Sequence, residues 1–211
     1  MGVTYNTPRT TFGLAGKFFN GSWRETIANG NIGTLPLTTA NDSSNVSGSG
    51  VYSSGVTGLP SEAHRYGVNL WTSIAFGNGI GSNYGFIAIG YFLPPTTGTY
   101  TIYTASDDGS GVWIGDLALP EATRTDANAT LDNNLGGGQG VTERSATISL
   151  TGKVMYPIRI VMEEISGGDA LTFSWAGPGI SKTTDLSEHF RTPISPSGAL
   201  AGNYFFRPSN P

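Results

Sequence analysis

Two adjacent carboxylates, Asp107 and Asp108, stand in the stretch SDDGSGVWIGD, with strand-like apolar sequence on both sides. Successive side chains of a regular strand point to opposite faces, so the two carboxylates converge only if the backbone departs from the strand, as a cis peptide between them would allow. A divalent cation is the interaction that most directly favours such convergence. Calcium takes about six to eight oxygen ligands, and a chain without cysteine offers no thiolate for softer metals. The alternative is an ordinary Asp-Gly turn in which Asp107 caps a loop amide.

Two other acidic stretches have chemistry to consider. Asp126–Asn134 (DANATLDNN) begins like an EF-hand loop, but Leu131 and Gly137 stand where such a loop needs glycine and glutamate, so a polar loop at a binding rim is favoured. Glu163 and Glu164, taken with the Asp-Asp pair, could form the acid pair of a glycosidase. Two adjacent pairs on loops fit metal chelation better, and we do not expect an enzyme.

The patterns around these acids have a period of two residues, which is typical of β-strands. Ala170–Ala176 (ALTFSWA) alternates apolar and polar residues, and Tyr156–Met162 and Ser145–Leu150 do the same. Phe86–Phe92 (FIAIGYF) is apolar on both faces, as in a central strand. With turn residues between these runs, the sequence predicts an all-β antiparallel sandwich or barrel with long loops. The best helix candidate is one turn at Asp185–Phe190, with a capping box.

Most aromatic residues are expected to serve the core. Trp113 and Trp175 lie in strand patterns and are predicted to be buried. Three others lie in less regular sequence, where stacking on a ligand stays open: Tyr66, Trp71 and Tyr84.

A single domain is predicted over residues 1–211, with a core at about 12–190 and a C-terminal tail at 191–211. Asn41–Gly58 is expected to be a long loop, and Leu135–Gly140 a second one. Ser195–Pro211 carries three aromatic residues that would add a strand or dock on an assembly partner.

The composition excludes several classes of protein. Eleven basic and 15 acidic residues give a net charge of −4, without the basic runs of a nucleic-acid binder. No segment is long and apolar enough for membrane insertion, and Met1–Arg9 does not have the pattern of a signal peptide. Four glycosylation sequons are expected by chance in a chain rich in Asn, Ser and Thr, and they start at Asn20, Asn41, Asn45 and Asn128.

Several motifs together resemble the PA14 domain. The central stretch Gly90–Asp116 is the most specific, and Gly13–Phe19 (GLAGKFF) resembles the opening strand of that family. Three further stretches resemble the closing strands of the family: Tyr156–Ile160, the pair Gly167-Gly168 and Ala170–Trp175. The order and spacing match over about residues 12–190. The resemblance implies a barrel-like β-sandwich, in a family found in glycosidases, toxins and adhesins.

The pattern is most similar to the branch of calcium-dependent lectins that includes flocculin-like and bacterial adhesin domains. There an Asp-Asp pair joined by a cis peptide binds calcium, which implies this role for Asp107 and Asp108. By position, Glu164 stands where these lectins use an asparagine, and the carbonyls of Ser166 and Gly168 fall where they use main-chain oxygens. The same resemblance implies sugar contacts by the aspartate pair and by further residues of the loops Leu131–Gly140 and Ile165–Asp169, namely Gly167, Asp169 and Gln139.

The resulting hypothesis is a calcium-dependent carbohydrate-binding domain, a lectin or adhesin that recognises glycans on a cell surface. The expected location is extracellular, at a cell surface or on a virion. The alternative is a structural virion component, such as a phage decoration or appendage protein, with or without a host-glycan site. A third candidate is the accessory domain of a glycosidase.

Overall fold

A computed structural model describes residues 10–20, 69–77 and 84–194. This part of the chain is almost entirely β-structure, in antiparallel strands. The strands are β1 (Thr10–Phe12), β2 (Leu14–Asn20), β3 (Asn69–Trp71), β4 (Ala75–Gly77), β5 (Tyr84–Phe92), β6 (Gly98–Asp107), β7 (Ser110–Ile114), β8 (Leu131–Asn133), β9 (Thr142–Leu150), β10 (Tyr156–Glu164), β11 (Ala170–Gly177), β12 (Ile180–Thr183) and β13 (Phe190–Pro193).

The strands form two sheets. The first has the order β1-β13-β5-β10-β7-β8, with β2 also paired to β5 and β3 paired to β2. The second has the order β12-β11-β6-β9, with β4 also paired to β11. The all-β antiparallel architecture predicted from the period-two patterns is therefore confirmed.

The main core lies between the sheets and is rich in aromatic rings. Trp175 and Phe173 are buried there, and Phe92 stacks on Phe190 with ring centroids 4.8 Å apart. Burying one large apolar side chain stabilises the fold by about 1.5–3 kcal/mol, so this cluster dominates the folding energy.

The central strand β5 is buried at all nine positions. Its inner face meets the second sheet, while Ile87 and Ile89 on its outer face pack with Trp113, Ala118 and Leu135. Because both faces of β5 are packed against other residues, apolar and polar residues do not alternate in its sequence. The prediction of a central strand is confirmed.

Two aromatic residues that sequence left open as ligand platforms belong to the core. Trp71 is 2% exposed and packs edge-on against Phe86, with centroids 5.2 Å apart. Tyr84 is fully buried at the start of β5. Neither ring is available for stacking on a ligand.

The predicted helical turn at Asp185–Phe190 is wrong. Asp185 does cap a backbone amide, because its Oδ1 accepts a hydrogen bond from the amide of Ser187 at 2.8 Å, but the segment is a turn that leads into β13. Phe190 pairs with Phe92 of β5, and this strand pairing outweighs the local helix signal.

Two connections between the sheets lie at one edge of the sandwich and carry the predicted site residues. Asp108 and Gly109 carry the chain from β6 in the second sheet to β7 in the first. Residues 165–169 carry it from β10 in the first sheet to β11 in the second. Because Ala170 of β11 pairs with Asp107 of β6, the two connections lie side by side.

Several sequence predictions lie outside the described residues: the segment Met1–Arg9, the loop Asn41–Gly58, Tyr66 and the tail Ser195–Pro211 with its proposed assembly contact. Among the described residues, no helix has the length and apolar character needed to cross a membrane.

Candidate metal centre

The Asp-Asp pair lies where β6 ends and the connection to β7 begins, and its peptide bond is cis. Asp107 is partly exposed, whereas Asp108 is only 3% exposed. The glycine that follows is required by space, because a Cβ at Gly109 would lie 2.2 Å from the carbonyl oxygen of Asn134. The loop after β8 thus packs directly against the Asp-Asp-Gly turn.

Glu164, at the end of β10, completes a cluster of three acids. One carboxylate oxygen from each of Asp107, Asp108 and Glu164 lies within 4.8 Å of the others. Glu164 has no exposed surface, and neither of its carboxylate oxygens has a hydrogen-bond partner of ordinary geometry. A buried carboxylate with so little hydrogen bonding is strongly disfavoured, so this position calls for a cation or a proton.

Burial and neighbouring acids raise the pKa values of Glu164 and Asp107. Burial, followed by the charges of Asp108, Asp107 and Asp169, raises the pKa of Glu164 from 4.5 to about 8, although the Asp108 amide offsets part of this rise. Burial and the charges of Asp108 and Asp169 also raise the pKa of Asp107. Both shifts show that negative charge at this edge is concentrated and poorly solvated.

Asp108 is held by backbone amides from two loops. Its Oδ1 accepts a hydrogen bond from the amide of Gln139 at 2.8 Å. Its Oδ2 accepts from the amides of Ile165 at 2.8 Å and Ser166 at 3.4 Å. Hydrogen bonds from amides to a carboxylate are stronger than those between neutral groups, so the loops after β8 and β10 both fix Asp108.

The structure brings the other predicted site residues around this cluster. A Cβ at Gly168 would lie 2.8 Å from Oδ2 of Asp107, so the glycine backbone lies directly against that carboxylate. Gly167 has a φ of 108°, in the region that favours glycine. Asp169 is 3% exposed and its Oδ2 accepts a hydrogen bond from the Tyr84 hydroxyl at 3.1 Å. The ligand roles of these residues stay predictions.

Glu163 does not join the cluster. The two glutamates are the last residues of β10 and do not lie on a loop, so alternation directs Glu163 to the face opposite Glu164. The amide of Glu163 donates to the carbonyl of Gly109 at 3.0 Å, which ties β10 to the turn. The expectation of two adjacent chelating pairs on loops is therefore corrected to one pair and a single glutamate.

The stretch that begins like an EF-hand, Asp126–Asn134, is only partly the polar loop that its sequence predicts. Its first part is a 3-10 turn, Asp126–Asn128, and its later part is strand β8. The Oδ1 of Asn128 accepts hydrogen bonds at 2.9 Å from the indole of Trp113 and from the amide of Thr125. The side chain of Asn128, the first residue of the fourth sequon, is thus hydrogen-bonded within the fold.

A buried polar network behind Asp108 was not found by sequence reasoning. Asn133 is fully buried and donates to the carbonyls of Thr104 at 3.0 Å and Thr142 at 2.8 Å. The hydroxyl of Ser110 lies 2.8 Å from that of Ser106. Nothing in a short polar run such as LDNN tells which amide turns inward, because that depends on the register of β8 against β7.

Comparisons with known proteins agree with this architecture. The model of the GLEYA domain family matches residues 84–177, which is less than half of the chain. No curated protein matches the chain.

Among solved structures, an anti-sigma factor domain-containing protein matches with a TM-score of 0.53 and 18% identity, over 85% of this chain and 48% of that one. The chain thus spans about half the length of that protein. The Epithelial Adhesin 9 A domain from Candida glabrata, solved in complex with Galb1-3GlcNAc, matches with a TM-score of 0.52 and 13% identity, over 87% of this chain and 90% of that one. The PA14 sugar-binding domain from an RTX adhesin matches with a TM-score of 0.50 and 16% identity, over 85% of this chain and 98% of that one. These likenesses show that the chain has the β-sandwich fold of PA14 domains.

Proposed function

We propose that this chain is a carbohydrate-binding, adhesin-like domain that recognises cell-surface glycans through calcium held by Asp107, Asp108 and Glu164. The observation that carries the proposal is the buried carboxylate of Glu164, which has no partner of ordinary geometry and faces two further carboxylates. The solved relatives support sugar as the ligand class, since one is in complex with a disaccharide and another is named a sugar-binding domain.

The donor set suits calcium. The three acids offer oxygen atoms alone, which hard cations prefer, and a bound divalent ion would offset two of their three negative charges. Burial of Glu164 strengthens this attraction, because charges interact more strongly where water is excluded. In the proposed site, the carbonyls of Ser166 and Gly168 are further ligands, as the sequence resemblance implies.

The side chains around the cluster suit a sugar at the surface. When bound, calcium would supply coordination positions for neighbouring hydroxyl groups of a glycan. Asp107 is partly exposed, so its carboxylate can also accept hydrogen bonds from those hydroxyls. Ile165, which is 40% exposed beside Asp108, offers an apolar contact to a sugar ring. The proposed activity is binding without bond cleavage, because three carboxylate oxygens within 4.8 Å of one another suit a shared ion better than separate acid and nucleophile roles.

Calorimetry on EDTA-stripped protein tests the calcium site. We expect the native chain to bind calcium, Asp108→Asn to lose that binding, and Glu188→Gln to retain it, since Glu188 is an exposed acid outside the cluster. Failure of the native chain to bind calcium would refute the metal site.

A glycan array with calcium, repeated with EDTA, tests the ligand. We expect glycan binding in calcium that EDTA abolishes. Binding that persists in EDTA would refute calcium dependence. Calcium binding without any glycan signal would refute the carbohydrate ligand.

A further inference from the structure

We propose that Gln139 is a positioning residue of the candidate metal centre: its side chain, anchored on Asn133, holds the loop whose backbone amide fixes Asp108. This inference rests on the proposed function. It gives Gln139 a role different from the sugar contact that the sequence implied.

The first observation is the double engagement of Gln139 with the Asp-Asp turn. Its backbone amide donates to Oδ1 of Asp108 at 2.8 Å. Its side-chain Nε2 lies 3.4 Å from the carbonyl oxygen of Asp108 and 3.3 Å from that of Ser106. One residue thus contacts both the side chain and the main chain of the buried aspartate.

The second observation is the anchor behind Gln139. Its Nε2 donates to Oδ1 of Asn133 at 3.2 Å. Asn133 is fully buried in β8 of the first sheet and donates to Thr104 of β6 and Thr142 of β9, both in the second sheet. Gln139 is therefore tied to a point that is fixed by both sheets.

The side chain of Gln139 is directed into the protein. Besides the three oxygens already named, Nε2 has the carbonyl oxygen of Asn133 at 3.5 Å. An amide nitrogen carries two hydrogens, so four protein acceptors leave it no donor for a sugar. A direct ligand role for this group would require breaking the network.

The chemical consequence is that Asp108 is oriented before any ion arrives. Groups that orient metal ligands typically change metal affinity by about 10–100-fold when they are removed. Gln139→Met keeps the approximate length and volume of the side chain but removes its donors. Without them, the loop amide loses its fixed position. Asp108 is then held only through Oδ2, by the amides of Ile165 and Ser166, and its carboxylate can rotate out of line with the other two.

The test compares native protein, Gln139→Met and Val141→Thr, where Val141 is a 65% exposed residue of the same loop. Calcium affinity is measured by calorimetry, and stability by thermal unfolding in EDTA. We expect Gln139→Met to weaken calcium binding by about tenfold or more, and Val141→Thr to leave it within about twofold of the native value. Gln139→Glu, which is of equal size but faces the same oxygens with a carboxylate, should weaken binding at least as much.

A spectroscopic measurement separates positioning from a general loss of structure. Terbium is bound in place of calcium, and luminescence lifetimes in H2O and D2O count the water molecules on the ion. We expect about one more water in Gln139→Met than in native protein, because Asp108 no longer completes the ligand set. Weaker binding with an unchanged water count would overturn the positioning role.

The outcomes distinguish this inference from the function on which it rests. If native protein fails to bind calcium, both are overturned. If native protein binds calcium, Asp108→Asn does not, and Gln139→Met binds as tightly as native protein, only the inference about Gln139 is overturned.

Discussion

Replacing Glu164 by glutamine should have opposite effects on stability without and with calcium. In the apo protein, Glu164 is fully buried, has no hydrogen-bond partner of ordinary geometry and lies beside two other carboxylates. Glutamine has nearly the same shape but no charge. We therefore expect Glu164→Gln to stabilise the protein in EDTA and to weaken calcium binding.

The magnitude follows from the pKa of Glu164, which rises from 4.5 to about 8 in the folded protein. At pH 7, a shift of this size lowers the free energy of unfolding by about 3 kcal/mol, compared with a side chain that is uncharged in both the folded and the unfolded state. The buried amide of glutamine would still lack partners, which costs about 1 kcal/mol or more. The net gain expected in EDTA is about 1–2 kcal/mol.

With calcium present, the order reverses. A ligand at about 100 times its Kd stabilises the folded protein by about 2.7 kcal/mol, and the variant loses most of that gain because it lacks one charged ligand. Urea unfolding at pH 7.5 in EDTA and in excess calcium measures both effects, with Glu188→Gln as the exposed control. A variant that is less stable than native protein in EDTA would refute the claim that burial of the Glu164 carboxyl destabilises the apo protein.

Three further predictions concern the same molecule. The contribution of Glu164 to the unfolding free energy in EDTA should be largest below about pH 4.5 and fall as pH rises towards 8, since its raised pKa favours the neutral form in the folded state; urea titrations should therefore show native protein losing stability relative to Glu164→Gln across this range. Gly109→Ala should destabilise the fold by about 2 kcal/mol or more, because its Cβ would lie 2.2 Å from a carbonyl oxygen, whereas Gly140→Ala, with nothing within 4 Å, should not; equal melting temperatures would contradict this. Asn128→Ala should cost about 1–2 kcal/mol, since it leaves the indole N–H of Trp113 without its acceptor; an unchanged midpoint in thermal unfolding would count against that role.

Sequence patterns predicted the parts of the fold that depend on local periodicity. The alternation in Ala170–Ala176 marks a strand that is buried on one face, and the unbroken apolar run of β5 marks the central strand. The segment Asp185–Phe190 shows the limit of local patterns. Its capping residue is real, yet pairing of Phe190 with Phe92 decides its conformation, and that partner lies almost a hundred residues away.

The acids of the candidate site and neighbours such as Gly168 and Gln139 were predictable from the sequence, but the contacts that fix them were not. Asp107 and Asp108 stand out because charge is rare in this chain, and the resemblance to PA14 domains added Glu164. Their supports depend on which strands lie opposite each other. The hydroxyl of Tyr84, for example, donates a hydrogen bond to Asp169, and nothing in the sequence around Tyr84 predicts this bond.

The two connections between the sheets have a mechanical consequence. Asp107 ends a strand of the second sheet and Glu164 ends a strand of the first, while Asp108 lies between the layers. In the proposed site, an ion held by all three clasps the two layers together at one edge. A force applied through a glycan bound to that ion would then be shared by both sheets and would not separate one layer from the other.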